Sequence, residues 1–226
     1  MGGTPETSAA FRAWIAETLS TSIPDGTADG AGVSLSSSDG SREVLFASND
    51  LAGSLEQLQF TLGEGPSVDA STTGSTVLVA DLNDPGDGLA GRWPVFVEHA
   101  TRAGVSAVFA FPIRIGAILL GALDVYRLTP GPLAADELSA TLETVDALGL
   151  RVLGLRSAEG DMNGSGDPVW SNMTVHRAAG MVMVQMEATI QEALLRLRAA
   201  AYAEDTPINE IAADVVTGRR RFPKES

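Results

Sequence analysis

One glycine-rich segment, at which the pattern of the sequence changes, constrains the fold of this chain more than any other feature. The sequence between Ser157 and Pro168 contains three glycines and almost no apolar residue, which is typical of a linker. Strand-like and helical patterns alternate before this segment, whereas only helical patterns follow it. We therefore predict two domains, at residues 1–157 and 168–226, joined by a linker at 158–167.

The most apolar stretch of the sequence, Val105 to Tyr126, predicts a pair of long strands. It is rich in β-branched residues, and a glycine near its middle, Gly116, marks the expected turn. The charged residues Arg114 and Asp124 and the central Pro112 argue against a membrane-spanning helix. Shorter strands are predicted at 31–36, 43–47 and 76–79.

Helical patterns surround these strands in the first domain. Apolar residues recur at helical spacing in the segments 6–19, 50–60, 93–103 and 136–156. Pairs of strands separated by helices are typical of an antiparallel sheet with helices on its faces. We therefore predict an α+β fold for residues 1–157.

The composition excludes several classes of function. The chain has 226 residues and no cysteine, so disulfides, thiolate metal sites and thiol nucleophiles are ruled out. Two histidines, His99 and His176, are too few for a typical metal site, and no serine has the sequence context of an activated nucleophile. We predict no catalytic activity, no metal and no cofactor. Because the N-terminal residues lack a signal-peptide pattern, we also predict a cytoplasmic protein that does not bind a membrane.

The segment Gly63–Ser67 predicts a special backbone conformation. Its sequence lacks the lysine and the serine or threonine that follow the second glycine of a phosphate-binding loop, and its proline removes one backbone N–H. We predict instead a turn beside a ligand pocket that is also lined by the sheet. The residues assigned to this pocket are Gly63, Glu64, Gly65, Pro66 and Ser67.

The helix predicted at 136–156 carries two apolar lines. One line follows a heptad pattern and contains Leu138, Val145, Leu148, Val152 and Leu155. The other line contains Leu142, Leu150 and Leu153. A helix with two apolar faces needs two partners, so we predict that it packs on its own sheet and that the heptad line forms a homodimer interface. The alternative is a helix buried on both sides within one domain.

The charge of the chain is distributed unevenly. The net charge is −14, and residues 1–169 hold 8 basic and 22 acidic residues, whereas residues 170–226 hold 7 of each. Phosphate contacts need lysine or arginine, so nucleic-acid binding by the first domain is disfavoured. The arginines of the second domain form a candidate partner surface, although a solvated surface charge is the alternative for each one taken alone.

Three helical patterns follow the linker, and they begin near Met173, Thr189 and Thr206. Thr189 and Glu192 have the Thr-x-x-Glu spacing of a capping box. Small residues such as Gly180 are expected to let two of the helices approach closely. The second domain is therefore predicted to be a bundle of three short helices.

These helices resemble the ANTAR domain, an RNA-binding module of bacterial transcription antitermination regulators. The resemblance covers residues 168–219, in order, and rests on Ala-Ala-Gly-Met-Val-Met at 178–183, Glu-Ala-Leu-Leu-Arg-Leu-Arg-Ala-Ala-Ala at 192–201 and Ile-Ala-Ala-Asp-Val-Val at 211–216. It implies a three-helix bundle that grips tandem RNA hairpins, usually as a dimer, and thereby prevents a terminator from forming.

The RNA contacts that this resemblance implies need planar side chains and arginines. Bases of hairpin loops stack on aromatic or planar groups, and phosphates bind cations. The candidates are His176, Arg177, Arg196, Arg198, Tyr202 and the basic tail Arg219, Arg220 and Arg221. For Tyr202, packing at the edge of its helix is an equal alternative.

The first domain resembles a GAF domain of the kind that is fused to ANTAR in actinobacteria. The matching segments are 62–66, 77–82, 92–94, 109–114 and 121–126. The resemblance implies an α+β domain that senses a small molecule or another signal. The family often has cysteine after Gly-Glu-Gly-Pro, and Ser67 stands at that position here, which removes thiol redox chemistry and thioether attachment of a chromophore.

Together these features predict a signal-responsive RNA-binding antitermination regulator. Its partners would be two-hairpin leader RNA, a second copy of the chain and a small-molecule or protein signal at the first domain. The alternative is a ligand-sensing or protein-interaction module whose helical tail only dimerises. Exposed arginines on one connected surface would favour RNA binding, and an exposed apolar stripe would favour dimerisation.

Overall fold

The computed structural model describes residues 5–36, 42–84, 89–158, 173–204, 206 and 208–223. The predicted linker from residue 159 onwards lies outside the described residues, as do the side chains of Leu155 and His176. Contacts divide the chain into two compact units. The first comprises residues 1–60 and 64–169, and the second comprises 61–63 and 170–226.

The first unit is built on one five-stranded antiparallel sheet. Its elements are α1 (Pro5–Ser22), β1 (Gly30–Ser36), β2 (Arg42–Ala47), α2 (Asp50–Leu62), α3 (Pro66–Thr73), β3 (Val77–Val79), α4 (Leu89–Arg92), α5 (Pro94–Arg102), β4 (Ala107–Ile115), β5 (Ile118–Arg127) and α6 (Ala135–Ala158). The strand order is β2-β1-β5-β4-β3, and each neighbouring pair is antiparallel. The predicted α+β fold with an antiparallel sheet flanked by helices is confirmed.

Helices cover both faces of the sheet. On β1, Gly32 faces α2, because a Cβ atom there would lie 2.2 Å from Oε1 of Glu56. The adjacent Ala31 faces the opposite side, where it lines a groove together with α1. Helix α6 lies beside α1, and the Arg151 guanidinium sits over the Trp14 ring at 5.6 Å. Helices α2 and α6 therefore lie on opposite faces of the sheet.

Helix α6 corrects the predicted dimer interface. Val145, Leu148 and Val152 of the heptad line are buried in the core of their own unit, where α6 packs on β4. These side chains are therefore not available to a partner chain. The second apolar line stays partly open, since Leu142 is 44% and Leu150 is 66% exposed.

The segment Gly63–Ser67 also differs from the prediction, because a helix begins inside it. Helix α3 starts at Pro66, and Gly65 precedes it with φ of 131°. Proline at the first position of a helix needs no N–H partner and has a suitable φ, so it begins α3 rather than prolonging a turn. The short helix α4 was not predicted either.

The second unit consists of three helices that contact one another. They are α7 (Met173–Met186), α8 (Ile190–Ala203) and α9 (Ile208–Val216). Thr189 and Glu192 form the predicted capping box at the start of α8. The prediction for Gly180 is wrong, because a Cβ atom there would meet nothing within 4 Å. Among the described residues, no helix has the length and apolar character that crossing a bilayer requires.

Candidate functional site

A group of buried polar side chains lies between the sheet and the helices α2 and α3. We call it the polar cluster, and it consists of Ser34, Arg42, Glu56, Gln59, Ser67, Asp124 and Tyr126. All of these residues except Arg42, which is half-buried, are shielded from solvent. Burying this many polar groups is unfavourable unless they bind one another, so their mutual contacts decide what the site can do.

The backbone brings these residues together from distant parts of the chain. Asp124 and Tyr126 are two positions apart on β5 and therefore point to the same face of the sheet. Glu56 and Gln59 are three positions apart on α2 and share one side of that helix. Ser67 lies in the first turn of α3, which completes the cluster.

Gln59 is the centre of the hydrogen-bond network. Its Oε1 accepts from the Ser67 N–H at 2.8 Å, which fixes the orientation of the amide because a backbone N–H can only donate. Its Nε2 donates to Oδ2 of Asp124 at 2.9 Å and to the Tyr126 oxygen at 3.0 Å. The Tyr126 hydroxyl in turn donates to Oε1 of Glu56 at 2.8 Å.

Arg42 brings a positive charge to the same cluster from β2. Its Nη2 donates to Oγ of Ser34 at 3.0 Å and to Oγ of Ser67 at 2.8 Å. Its Nη1 is buried without a hydrogen-bond partner among the described residues, and so is Oδ1 of Asp124. A buried donor and a buried acceptor of opposite charge are thus left unsatisfied in one cluster.

Burial and mutual repulsion determine the protonation of the two carboxyl groups. Burial and the neighbouring charge of Asp124 raise the pKa of Glu56 well above its usual value. Burial also raises the pKa of Asp124, and hydrogen bonds from Glu56 and Gln59 oppose that rise. Burial therefore favours the protonated form of Glu56. The charge of Asp124 is balanced by Arg42, whose own pKa is lowered by burial.

The free space at the polar cluster is small. The cavity beside Arg42 measures about 10 Å³, which is room for about one water molecule. The pocket predicted at Gly63–Ser67 is thus filled by side chains in this state. Glu64 of that segment instead accepts the N–H groups of Val95 and Phe96 at 3.2 and 3.4 Å, and so caps the start of α5. A ligand larger than water needs Arg42 to move.

A larger groove lies on the other face of the sheet and was not predicted. Its volume is about 390 Å³, and the end of α1, the following loop, β1 and β2 line it. Leu19, Ile23 and Phe46 contribute apolar surface, and Asp25 and Asp29 are acidic. This groove and the polar cluster are separated by the sheet.

The predicted RNA contacts in the second unit fall into three groups. Arg177 and Arg221 are exposed, and Tyr202 is 58% exposed. Arg219 and Arg220 are exposed or half-buried but bind carboxylates of their own unit. Arg196 and Arg198 are half-buried. The prediction for His176 lies outside the described residues.

Comparison with solved structures concerns the first unit. The GAF domain region of a Geobacter sulfurreducens PCA protein is similar at a TM-score of 0.50 and 16% identity, over 66% of this chain and 94% of that chain. The first unit has the fold of a GAF domain. The GAF domain of a Bacillus halodurans two-component sensor histidine kinase gives 0.49 at 11% identity, with 69% and 98% covered. GAF3 of a Synechocystis sp. PCC6803 protein gives 0.48 at 20% identity, with 70% and 98% covered.

The similarity at a TM-score of 0.50 establishes the fold of the first unit, called the GAF unit below, and nothing about the second unit. No protein-family model matches the sequence, and no curated protein matches it. The GAF part of the sequence prediction is confirmed at the level of fold. The resemblance of the second unit to ANTAR, and the site residues assigned through it, stay predictions.

Sequence reasoning found one member of the polar cluster, Ser67, and missed the others. A usable signal was present, since Asp124 interrupts an otherwise apolar strand and Glu56 interrupts the apolar face of α2. A carboxylate at a buried position needs a partner, so each of these residues indicates a polar interior. The identity of the partners depends on strand register, which the GAF fold supplies.

Proposed function

We propose that the chain is a signal-responsive, RNA-binding regulator of transcription antitermination, without a catalytic step of its own. The observation that carries the RNA part is the exposure of Tyr202 on α8, a residue that is 58% accessible. A tyrosine that contributes so little to the packing of a small bundle is available to stack on an unpaired base. The ANTAR-like sequence of all three helices supports the same proposal.

The GAF unit is the proposed sensor. Nη1 of Arg42 and Oδ1 of Asp124 are unsatisfied and carry opposite charges, so the site favours a small ligand that offers both an acceptor and a donor. Because the cavity is about 10 Å³, binding of such a ligand must displace the Arg42 side chain. Arg42 begins the edge strand β2, so this displacement is a structural change at the edge of the sheet.

The charges restrict RNA contacts to the second unit. The acidic first part repels phosphate, whereas Arg177 and Arg221 are exposed and have no ion-pair partner among the described residues. Few phosphate contacts per chain predict a moderate salt dependence, about −0.7 in log–log slope for each contact to single-stranded RNA. Homodimerisation, which we include in the proposal, would let two hairpins bind at once and raise the avidity.

One observation favours a second candidate function. Leu195 and Tyr202 are seven positions apart on α8, both are more than half exposed, and the exposed Ala199 lies between them. An apolar line at this spacing also suits contact with a second helix. In this alternative, α8 binds another chain and no RNA is involved.

The proposal is tested by binding of the full chain to tandem hairpins with hexanucleotide loops, followed by fluorescence anisotropy. We expect tighter binding to intact loops than to loops of scrambled sequence. Tyr202→Ala should weaken binding by about 1–3 kcal/mol, roughly 5- to 150-fold, because one stacked base is lost. Tyr202→Phe is the matched control, and it should bind like the unchanged protein because the ring alone provides the stacking.

Equal binding to intact and scrambled loops would contradict the RNA proposal. Sedimentation of variants of α8 then tests the second candidate. If α8 binds another chain, Leu195→Ala and Tyr202→Ala lower the mass of the assembly that sediments. Ala199→Gly has a smaller effect, since the large side chains provide most of the buried surface.

A further inference from the structure

The C-terminal segment of the second unit folds back on the helices. Gly218 has φ of 77°, a left-handed conformation that ends α9 and reverses the chain. The Arg220 N–H then donates to the Asp214 carbonyl at 3.0 Å, and the Phe222 N–H donates to Oε1 of Gln185 on α7 at 2.8 Å. We call residues 219–223 the tail. Two of its backbone N–H groups hold it against the bundle, one bound to a backbone carbonyl and one to a side chain.

Two arginines of the tail are bound to carboxylates of the bundle. Arg219 places Nε 2.8 Å and Nη2 2.7 Å from Oδ1 of Asp214. Arg220 binds Glu204 with both ends of its guanidinium, at 2.7 Å from Nη1 to Oε1 and 2.5 Å from Nη2 to Oε2. Arg220 lowers the pKa of Glu204, so this carboxylate is charged at neutral pH. Two of the three arginines of the predicted basic tail are therefore paired within their own unit.

The geometry of the Arg220–Glu204 pair is the one that arginine uses for phosphate. Two parallel N–H groups bind the two oxygens of a carboxylate or of a phosphodiester in the same fork. The pairs are open to water, since the side chains of Arg219 and Glu204 are 65% and 46% exposed. Exposed ion pairs are weak, so another anion with two suitable oxygens competes for the same donors.

We propose that Glu204 and Asp214 mask a phosphate-binding site formed by Arg219 and Arg220, and that RNA occupies it by replacing the two carboxylates with phosphodiester oxygens. This inference rests on the proposed RNA binding. The backbone contacts of Arg220 and Phe222 keep the tail in place during the exchange, so only the guanidinium groups change partner. Any RNA that occupies the site must first displace the two carboxylates, so the mask lowers the affinity of RNA that binds there through phosphates alone.

The experiment compares variants of the full chain in binding to tandem-hairpin RNA. Glu204→Gln should raise the affinity about two- to fivefold, because Arg220 then loses its charged competitor. Glu210→Gln is the matched control. It removes the same charge from an exposed site on α9, where the carboxylate has no arginine partner among the described residues. We expect it to change the affinity by less than about twofold.

A second pair of variants separates masking from general repulsion of RNA by negative charge. If the carboxylate acts through Arg220, Glu204→Gln should have no effect in a chain that already carries Arg220→Gln. If it acts by repulsion alone, the gain is the same with and without Arg220, and the inference is wrong. It is also wrong if Glu204→Gln weakens binding while the unchanged protein binds RNA. Absence of RNA binding by the unchanged protein would instead refute the proposed function.

Discussion

Replacing Arg42 by methionine should lower the free energy of unfolding of the GAF unit by about 2–4 kcal/mol at pH 7. Arg42 is the positive charge that balances Asp124 in the polar cluster, and Asp124 is completely buried. Removal of the Arg42 guanidinium leaves the Asp124 carboxylate without a counter-charge. It also leaves the hydroxyls of Ser34 and Ser67 without their shared donor. The decrease in the free energy of unfolding is smaller than for a fully buried ion pair, because Arg42 itself is half-buried. Urea unfolding followed by tryptophan fluorescence measures it, since Trp93 is buried in this unit.

The loss of unfolding free energy caused by Arg42→Met should become smaller as the pH is lowered from 7 towards 5. Burial raises the pKa of Glu56 and of Asp124, so the folded state binds protons more tightly than the unfolded chain. Stability is then highest below the unfolded pKa values and falls as the pH rises through the raised ones. Arg42 holds both values down, so its removal raises them further and strengthens this trend.

Two controls complete the test of the polar cluster. Arg114→Met removes a charge from an exposed position on the same sheet and should change stability by less than about 0.5 kcal/mol. Adding Asp124→Asn to Arg42→Met should recover part of the loss, because the unbalanced charge is then gone. If the loss of stability caused by Arg42→Met did not change with pH, the assignment of Arg42 and Asp124 as a charge pair would be contradicted.

Replacing Gly121 by alanine should destabilise the GAF unit by about 3–5 kcal/mol. A Cβ atom at Gly121 would lie 2.0 Å from the Ser34 carbonyl oxygen and 2.8 Å from Cα of Leu35. Both atoms belong to the backbone of β1, so relief requires β1 and β5 to separate. Separation would also pull Ser34 away from Ser67 and open the polar cluster.

Gly116→Ala is the matched control for Gly121→Ala. Gly116 has φ of 58° in the turn between β4 and β5, and a Cβ atom there meets nothing within 4 Å. Only the backbone strain of a left-handed alanine remains, about 1–2 kcal/mol. Urea midpoints of the two variants provide the comparison. Similar midpoints would show that β1 and β5 are not held as closely as the structure indicates.

The sequence was sufficient to predict the layers of the GAF unit but not its interior. Alternation and turn residues identify the strands because strand patterning is local, as in the hairpin around Gly116. The polar cluster depends on contacts between distant residues, such as the bond from Gln59 to Asp124 across 65 positions. These contacts need the strand order and register, so only single members such as Ser67 are accessible from the sequence.

Helix α6 shows why a correct periodicity led to a wrong interface. A repeat of seven residues places Val145 and Val152 on one side of a helix, and that side can face a second helix or a sheet. The structure places it on the sheet, which leaves the line of Leu142 and Leu150 exposed. The sequence therefore predicts that α6 has two apolar faces. Which of the two faces packs on the sheet can be told only from the folded structure.

The ion pairs of the basic tail could not be predicted from the sequence for a related reason. No acid lies next to the run Arg219–Arg221 in the sequence. The reversal at Gly218 brings Arg220 to Glu204, which lies 16 positions earlier in the chain. Charge counting therefore overestimated the free positive charge of the second unit, and the structure leaves Arg177 and Arg221 exposed.

We propose that the chain binds tandem hairpins and so prevents a terminator from forming. Single-round transcription in vitro tests it most directly, on a template whose leader encodes two hairpins with hexanucleotide loops, the second overlapping a terminator stem. We predict that read-through rises to saturation with the concentration of the full chain. The rise should be absent with scrambled loops and reduced by Tyr202→Ala but not by Tyr202→Phe. Read-through that stays constant, or that rises equally with scrambled loops, would contradict the claim.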